Sequence, residues 1–301
     1  MMEAAGIQAK AVEMPKKQVK KRSQIMAIWF RYKKNKLAVA GLVLLILLVL
    51  VAVCAPLIVP YERVVEQNLV ERLAPISAEH WFGTDEYGRD MFARIIWGAR
   101  YSLALGMGSI IISLIFGALI GAVCGYFGGK LDNIVMRVMD VLLAIPQILM
   151  AICIVAALGQ SALNLLIAMS ASTVPKFVRI VRSSVLSLKQ EEYIEAARAC
   201  GTGDGRIIFR HVLPNVLGPI IVQATITMAA TILAISSLSF IGLGVPTPQP
   251  EWGTILSDNK SQMRYFPYLC TIPGIAILVS VIAMNLIGDG LRDALDPKLK
   301  N

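Results

Sequence analysis

The sequence predicts an all-α, polytopic membrane protein with six transmembrane helices, on the basis of three observations. Hydrophobic residues make up 56% of the 301 residues and charged residues only 16%, whereas soluble domains typically contain about 25% charged residues. The charged residues are also clustered, so that about half of the chain lies in five uncharged stretches. Each stretch exceeds the ~20 apolar residues that a membrane-spanning helix needs. The stretches are 37–61, 101–129, 141–175, 212–250 and 265–288.

The first stretch predicts one transmembrane helix over 37–59, which is longer than the apolar core of about 7–15 residues in a signal peptide. The third stretch is too long for one crossing, because its 35 residues would form a helix of ~52 Å at 1.5 Å per residue. A Gly-Gln-Ser break at 159–161 divides it into two spans. The six predicted spans are 37–59, 101–127, 141–158, 162–178, 216–241 and 268–288.

Lys and Arg predict the orientation of these spans. The segment 1–36 is expected to be a flexible or surface-lying tail, and it carries ten Lys and Arg against two Glu. The positive-inside rule places it in the cytoplasm, together with the loop 179–214 and the tail 291–301. The loop 60–100 has seven acidic residues and five Arg but no Lys, and is predicted to be extracytoplasmic. The core transport domain is predicted over 101–290, in the cytoplasmic (inner) membrane.

Several kinds of chemistry are excluded or disfavoured by the residues. The five cysteines occur singly and the two histidines are far apart, so neither a disulfide framework nor a metal site is predicted. Gly129-Lys130 is followed by Leu131 rather than Ser or Thr, so the chain has no P-loop. No catalytic residue and no bound cofactor are predicted. The net charge of +9 is attributed to loops at the membrane rather than to binding of nucleic acid.

The source of energy is inferred from the uncharged spans. A proton-driven carrier usually keeps an ionisable group within the membrane, and the five stretches contain none. This favours energy supplied by a partner protein. A gradient-driven carrier or channel that acts alone is the alternative.

A short helix is predicted over 190–200, inside the basic loop. Three glutamates favour its N-terminal end and Arg198 its C-terminal end, and Gly201 is a typical stop. Its alanines leave room for another protein surface, and Tyr193 and Ile194 are candidate apolar anchors. Docking into a groove on a cytoplasmic partner and lying flat on the membrane are equally compatible with these residues.

A resemblance favours docking. The segment Glu195-Ala196-Ala197, then Gly201, then Leu213-Pro214 resembles the signature loop of ABC-importer permease subunits. His211 replaces the usual apolar residue, with capping or loop packing as its expected role, and RHVLPN at 210–215 resembles the dipeptide/oligopeptide/nickel branch. Three further segments, HWFGTDEYGRD (80–90), GARYSL (98–103) and FIGLGVPTPQPEWG (240–253), and the ending GDGLRDALDPKL (288–299) resemble the second, "C"-type, permease of that branch.

The resemblance implies a type I ABC importer transmembrane domain with no catalytic role. It implies a homologous permease as partner, two cytoplasmic ATPase subunits that bind ATP and Mg²⁺, an extracytoplasmic solute-binding protein, and surrounding membrane lipid. The ATPase-docking residues that it implies are Glu191, Tyr193, Glu195, Ala196, Ala197, Gly201, Leu213 and Pro214.

Two stripes within the spans have open interpretations. Gly117, Gly121, Gly125 and Gly129 recur every four residues, which favours close helix packing within the chain over a subunit interface. Gln223, Thr227 and Thr231 form a polar stripe, which either lines a water-filled path or hydrogen-bonds a neighbouring helix; the path is favoured.

The choice of substrate is open. Short peptides, either dipeptides or oligopeptides, are favoured over nickel, because the spans lack His and acidic ligands.

Overall fold

The computed structural model describes residues 24–295, and this part of the chain is built from helices. Its only β-pairing is one antiparallel bridge between Thr84 and Asp90, so the predicted all-α class is confirmed. The basic residues before position 24 and the end of the predicted C-terminal tail lie outside the described residues.

Twelve α-helices follow one another within residues 24–295. Five helical segments are long and apolar enough to span a membrane: α2, α4, α7, α12, and α10 together with the turns that precede it. Helices α5 and α6 meet the same test only together, as a pair bent by 92°. The helices are α1 Gln24–Tyr32, α2 Lys36–Ile58, α3 Glu62–Val65, α4 Met91–Phe127, α5 Gly129–Ala144, α6 Gln147–Leu158, α7 Ala162–Leu188, α8 Glu192–Ala199, α9 Asp204–Ile207, α10 Leu213–Phe240, α11 Trp252–Asn259 and α12 Tyr268–Leu295.

Helices α4 and α7 run in the same direction. Along α4, Gly117 faces Phe177, Gly121 faces Val178 and Gly125 faces Val185, so the contacting positions rise together on both helices. The intervening α5–α6 pair must therefore return the chain from one end of the bundle to the other. The third crossing is thus a broken one, and the bundle has six crossings. The glycines serve packing within the chain, as predicted; Gly129 faces open space.

Two helices extend well beyond the uncharged stretches. Helix α4 begins at Met91 instead of 101, because its buried Arg94 is neutralised by Asp85 and Asp258. Helix α7 continues to Leu188 instead of 178, because its arginines pair with aspartates of α5. A helix can therefore extend beyond an uncharged stretch where its charges have partners. The two pairs of the second case are Arg179 with Asp140 and Arg182 with Asp132.

Both described termini lie at the same end of the bundle. The Tyr32 hydroxyl donates to the Ala38 carbonyl at 2.8 Å, and a Cβ at Gly290 would touch both residues. The Asn35 amide donates to Asp293 at 3.2 Å. The end of the predicted basic tail is therefore a helix, α1, packed beside α12, and α12 itself continues past the predicted boundary at 290. This end, which also carries α8, is called the α8 end, and the other the α11 end.

Large apolar side chains are exposed along the sides of the bundle. Leu57 of α2 is 88% exposed, and Ile134 and Val141 of α5 are each 66% exposed. In a membrane these surfaces contact lipid or another subunit, so their exposure agrees with the predicted environment. The buried core consists of separate clusters; one joins α4, α7, α8 and α10 at the α8 end.

Candidate functional site

Helix α8 has well-defined ends. It begins after Glu191, whose extended backbone forms the N-cap. It stops at Gly201, which has a φ of +74°, the left-handed conformation that glycine adopts most easily. The Gly201 amide donates to the Arg198 carbonyl at 2.9 Å and the Thr202 amide to the Ala197 carbonyl at 3.0 Å, which together form a Schellman motif. The predicted helix and its glycine stop are confirmed.

One face of α8 is held by the protein itself. Ile194 is fully buried in the cluster formed with Val181, Val185 and Ile207. The sequence suggested Ile194 as an anchor for a partner; the structure shows that it anchors α8 to its own bundle. Ala197 is partly buried against the same cluster.

The opposite face of α8 is open. Tyr193 is 41% exposed, and its hydroxyl accepts a long hydrogen bond of 3.4 Å from the Asn215 amide. Glu191, Glu195 and Ala196 are exposed. This face offers carboxylates, one aromatic ring and a small side chain, on a helix that is fixed from behind.

The end of the signature segment forms the junction with α10. A single π-helical turn, Ile208–Val212, joins α9 to α10, which starts at Leu213 with Pro214 in its first turn. Leu213 packs against the α8 cluster and Pro214 is exposed. His211 lies in this turn, and its carbonyl accepts from the Asn215 amide at 2.6 Å. This contact uses the backbone of His211, so the capping or loop-packing role of its side chain stays a prediction.

A polar cluster behind α8 was missed by the sequence reasoning. Tyr126, near the end of α4, is 3% exposed. Its hydroxyl donates to Asp204 at 2.6 Å and accepts from Arg198 Nε at 3.2 Å. The Arg198 guanidinium lies 4.8 Å and the Lys189 ammonium 6.0 Å from its ring centre. No local motif signals this cluster, because its members come from four segments of the chain.

The polar stripe on α10, formed by Gln223, Thr227 and Thr231, was predicted to line a water-filled path, and the structure places most of it elsewhere. Thr227 is 2% exposed and Thr231 is fully buried, so neither lines an open surface in this structure. Gln223 is partly exposed, and its amide donates to the Thr227 hydroxyl at 3.0 Å. The path is therefore not supported for the two threonines. The alternative, a hydrogen bond to a neighbouring helix, is not supported either: Thr227 bonds to Gln223 of its own helix, and among the described residues Thr231 Oγ1 has no hydrogen-bond partner. Gln223 remains a candidate for the path.

The α11 end carries a buried ion-pair cluster. Asp85 accepts from Arg89 Nε at 2.7 Å and from Arg94 Nη1 at 2.5 Å. Asp258, at the end of α11, accepts from both arginines at 3.0 Å. The Asp85, Arg89 and Arg94 side chains are at most 2% exposed. Charges this deeply buried are expected only as pairs. The GTDEYGRD segment (83–90) therefore connects the loop before α4 to α4 and α11 through these ion pairs.

Two other segments of the resemblance also meet at this end. Ser102 Oγ donates to Glu251 Oε1 and accepts from the Trp252 amide, both at 3.1 Å. Glu251 is buried and caps α11 by accepting from the Thr254 amide at 2.9 Å. A Cβ at Gly98 would lie 2.6 Å from the Pro250 carbonyl oxygen. The GARYSL and PEWG residues therefore form one contact between α4 and α11.

His80 joins the loop to the start of α4. Its Nδ1 lies 2.9 Å from Asp90 and its Nε2 3.4 Å from Glu71, while Asp90 caps α4 by accepting from the Ala93 amide at 2.9 Å. Partial burial lowers the pKa of His80, but the hydrogen bond to Asp90 and the charge of Glu71 outweigh it, so that the pKa lies above its ordinary value. Within residues 24–295, no group of three or more His, Cys, Asp or Glu side chains is arranged to hold a metal ion.

A helical bundle with six apolar crossings defines an integral membrane protein. The chain belongs to the family described as "Binding-protein-dependent transport system inner membrane component", whose sequence model matches residues 117–301. Residues 23–75 match the "N-terminal TM domain of oligopeptide transport permease C". The expected family, a C-type permease of ABC peptide importers, is confirmed.

Several relatives cover most of the chain. The dipeptide transport system permease protein DppC of Alkalihalophilus pseudofirmus is 50% identical over 269 residues, which are 89% of this chain and 88% of that protein. The glutathione transport system permease protein GsiD of Pectobacterium atrosepticum is 43% identical over 91% of each chain. The oligopeptide transport system permease protein OppC of Bacillus subtilis is 39% identical, also over 91% of each.

One solved structure supports the fold. The MetNI methionine ABC transporter, in an inward-facing conformation, matches with a TM-score of 0.53 and 20% identity, over 68% of this chain and 98% of that chain. At this identity the match concerns the fold alone, and it confirms the predicted type I importer transmembrane fold.

Proposed function

We propose that the chain is a non-catalytic permease subunit of an ATP-driven importer of short peptides, and that α8 docks onto a cytoplasmic ATPase. The observation that carries the docking is the division of α8 into two faces. Ile194 fixes one face to the bundle, while Tyr193, Glu195 and Ala196 are left open on the other. A partner that moves this open face also pulls on the membrane helices, because Ile194 is buried among them.

Short peptides are the proposed substrate class. The relatives that cover about nine-tenths of the chain are named for dipeptide, oligopeptide and glutathione transport, and each of these substrates is a peptide or a peptide-like molecule. A homologous permease would complete the path, and Gln223 is the residue of this chain that we assign to it. No cofactor is proposed for this chain; ATP and Mg²⁺ would bind to two ATPase subunits.

The proposed orientation places the α8 end in the cytoplasm and the α11 end outside. Basic residues at the α8 end support this through the positive-inside rule. An extracytoplasmic solute-binding protein would then dock on the α11 end, where the ion-pair cluster and the Ser102–Glu251 contact hold the loops in one shape. A preformed surface loses less entropy when a partner binds to it.

The test is a charge placed on the open face of α8. Ala196→Arg should reduce the amount of co-purified ATPase at least about tenfold, because a long cation would hold the two surfaces apart. Ala196→Ser is the matched control, since it keeps the side chain small, and should co-purify normally. Both variants should insert into the membrane like the wild type. Normal recovery of the ATPase and normal uptake with Ala196→Arg would contradict the docking.

A further inference from the structure

The hydroxyl of Tyr126 occupies a bridging position at the α8 end. It donates one hydrogen bond to Asp204 of α9, at 2.6 Å, and accepts one from Arg198 of α8, at 3.2 Å. A phenol has one proton and accepts through its lone pairs, so both functions of this hydroxyl are used inside the chain. Loss of the hydroxyl would remove a partner from each neighbour at once.

Tyr126 belongs to the helix that packs most closely on α7. A Cβ at Gly121 would lie 2.6 Å from the Val178 carbonyl oxygen, and one at Gly125 would lie 2.9 Å from Val185 Cβ. This packing leaves α4 and α7 little room to slide past each other, because the backbones are already in contact. Tyr126 follows Gly125 directly, at the end of this rigid unit.

Helix α8 is attached to that unit by two different contacts. The apolar contact is Ile194 in the shared core; it resists separation, but dispersion contacts have no fixed direction. The polar contact is Arg198 on the Tyr126 hydroxyl and ring, and hydrogen bonds weaken steeply as their angle departs from linear. The apolar contact therefore holds α8 close, and the polar contact fixes its orientation.

We propose that Tyr126 is a positioning residue of the transport cycle, whose hydroxyl makes the α4–α7 unit follow the orientation of α8. The proposal rests on the proposed docking of an ATPase on α8 and names the residue that passes the movement on. Asp204 takes part in the same arrangement, because it accepts the hydrogen bond from the Tyr126 hydroxyl and so leaves a lone pair of that oxygen free to accept from Arg198.

The test replaces the hydroxyl and keeps the ring. Tyr126→Phe retains the aromatic surface beneath Arg198, so folding and membrane insertion should be unchanged. In proteoliposomes that contain the complete importer and its binding protein, import of radiolabelled dialanine per ATP hydrolysed should fall roughly fivefold or more, the lower range of coupling between sites. A purely structural role would lower the yield of the complex and leave this ratio unchanged.

A second measurement follows α8 directly and does not need a substrate. Cys200 is exposed at the end of α8, so a nitroxide label can be attached there in a Cys54→Ala, Cys153→Ala background. Tyr126→Phe should increase the mobility of this label in the EPR spectrum. Asp204→Ala, which leaves no acceptor for the Tyr126 hydroxyl, should do the same, and the double variant should show no further increase, because both changes remove the same Asp204–Tyr126 hydrogen bond.

Ser187→Ala is the control. It removes an exposed hydroxyl near the end of α7 that donates to the Ser183 carbonyl of its own helix at 3.3 Å, and it should change neither the ratio nor the label. An unchanged label and an unchanged ratio with Tyr126→Phe would overturn the proposal. If the wild-type chain purified without any ATPase, the proposed docking would be contradicted. The mobility of the label at Cys200 would still test whether Tyr126 orients α8.

Discussion

At the residue scale, the α11 end contains charged side chains that are almost completely buried. Asp85 accepts hydrogen bonds from two arginines whose side chains are almost completely buried. Removal of one partner from a buried pair leaves an uncompensated charge, which costs more than the pair itself contributes. The shape of this end therefore depends on the two carboxylates, Asp85 and Asp258, that neutralise these arginines.

The corresponding prediction concerns Asp85→Ala. The variant should lose about 3–5 kcal/mol of stability, because Arg89 and Arg94 would remain buried with only Asp258. The measurement is the thermal unfolding of the purified protein in detergent. Glu79→Ala, at an exposed position in the same loop, is the control and should unfold at the wild-type temperature. Equal unfolding temperatures for the two variants would contradict the prediction.

A pH dependence is predicted for the loop that His80 ties to α4. Because the pKa of His80 is raised in the folded protein, the stabilisation is complete below the unfolded value of about 6.5 and is lost as pH rises through the folded value. The pair is partly exposed, so the effect should stay below about 1 kcal/mol. Hydrogen-exchange protection of residues 69–90 should fall with rising pH and become independent of pH in His80→Gln.

The sequence predicts single residues well where a local pattern marks them. Gly201 was placed correctly because a helix stop is a local feature. Ile194, Thr227 and Tyr126 could not be placed, because their surroundings come from distant parts of the chain. An apolar or hydroxyl side chain on an amphipathic helix gives no sign of whether its own bundle or a partner covers it.

At the element scale, the close packing of α4 on α7 depends on glycines, because they have no side chain to keep the two backbones apart. Gly121→Ala should destabilise the protein by about 1–3 kcal/mol, as overpacking does, because the new Cβ would lie 2.6 Å from the Val178 carbonyl oxygen. Gly274→Ala is the control: this glycine of α12 has open space around its Cβ position, and the change should be neutral or stabilising by up to about 1 kcal/mol. Unfolding in detergent compares the two, and equal stabilities would contradict the packing argument.

Element boundaries could be predicted only in part. The positions of α2 and α10 and the start of α12 follow from the uncharged stretches to within a few residues. Helices α4 and α7 exceed the predicted spans because their arginines have carboxylate partners on other elements. The 92° bend between α5 and α6 was not predicted, because an apolar run reports a non-polar environment and not the direction of the chain within it.

At the scale of the whole molecule, the parallel α4 and α7 require the α8 and α11 ends to lie on opposite sides of the membrane. In intact cells a membrane-impermeant maleimide should label Glu79→Cys in a Cys54→Ala, Cys153→Ala background. Cys200 should be labelled only after the cells are opened. Labelling of both positions from the same side would contradict the six crossings.

The bent third crossing has a consequence for the lipid around the protein. Held upright, the twelve residues of α6 cover ~18 Å at 1.5 Å per residue, whereas the hydrocarbon layer is ~30 Å thick. Where α6 alone crosses the hydrocarbon layer, the lipids beside it would have to compress, and hydrophobic mismatch of this kind costs a fraction of a kcal/mol for every ångström. A second subunit against this flank would relieve that compression, so bilayer thickness itself favours assembly on the α5–α6 side.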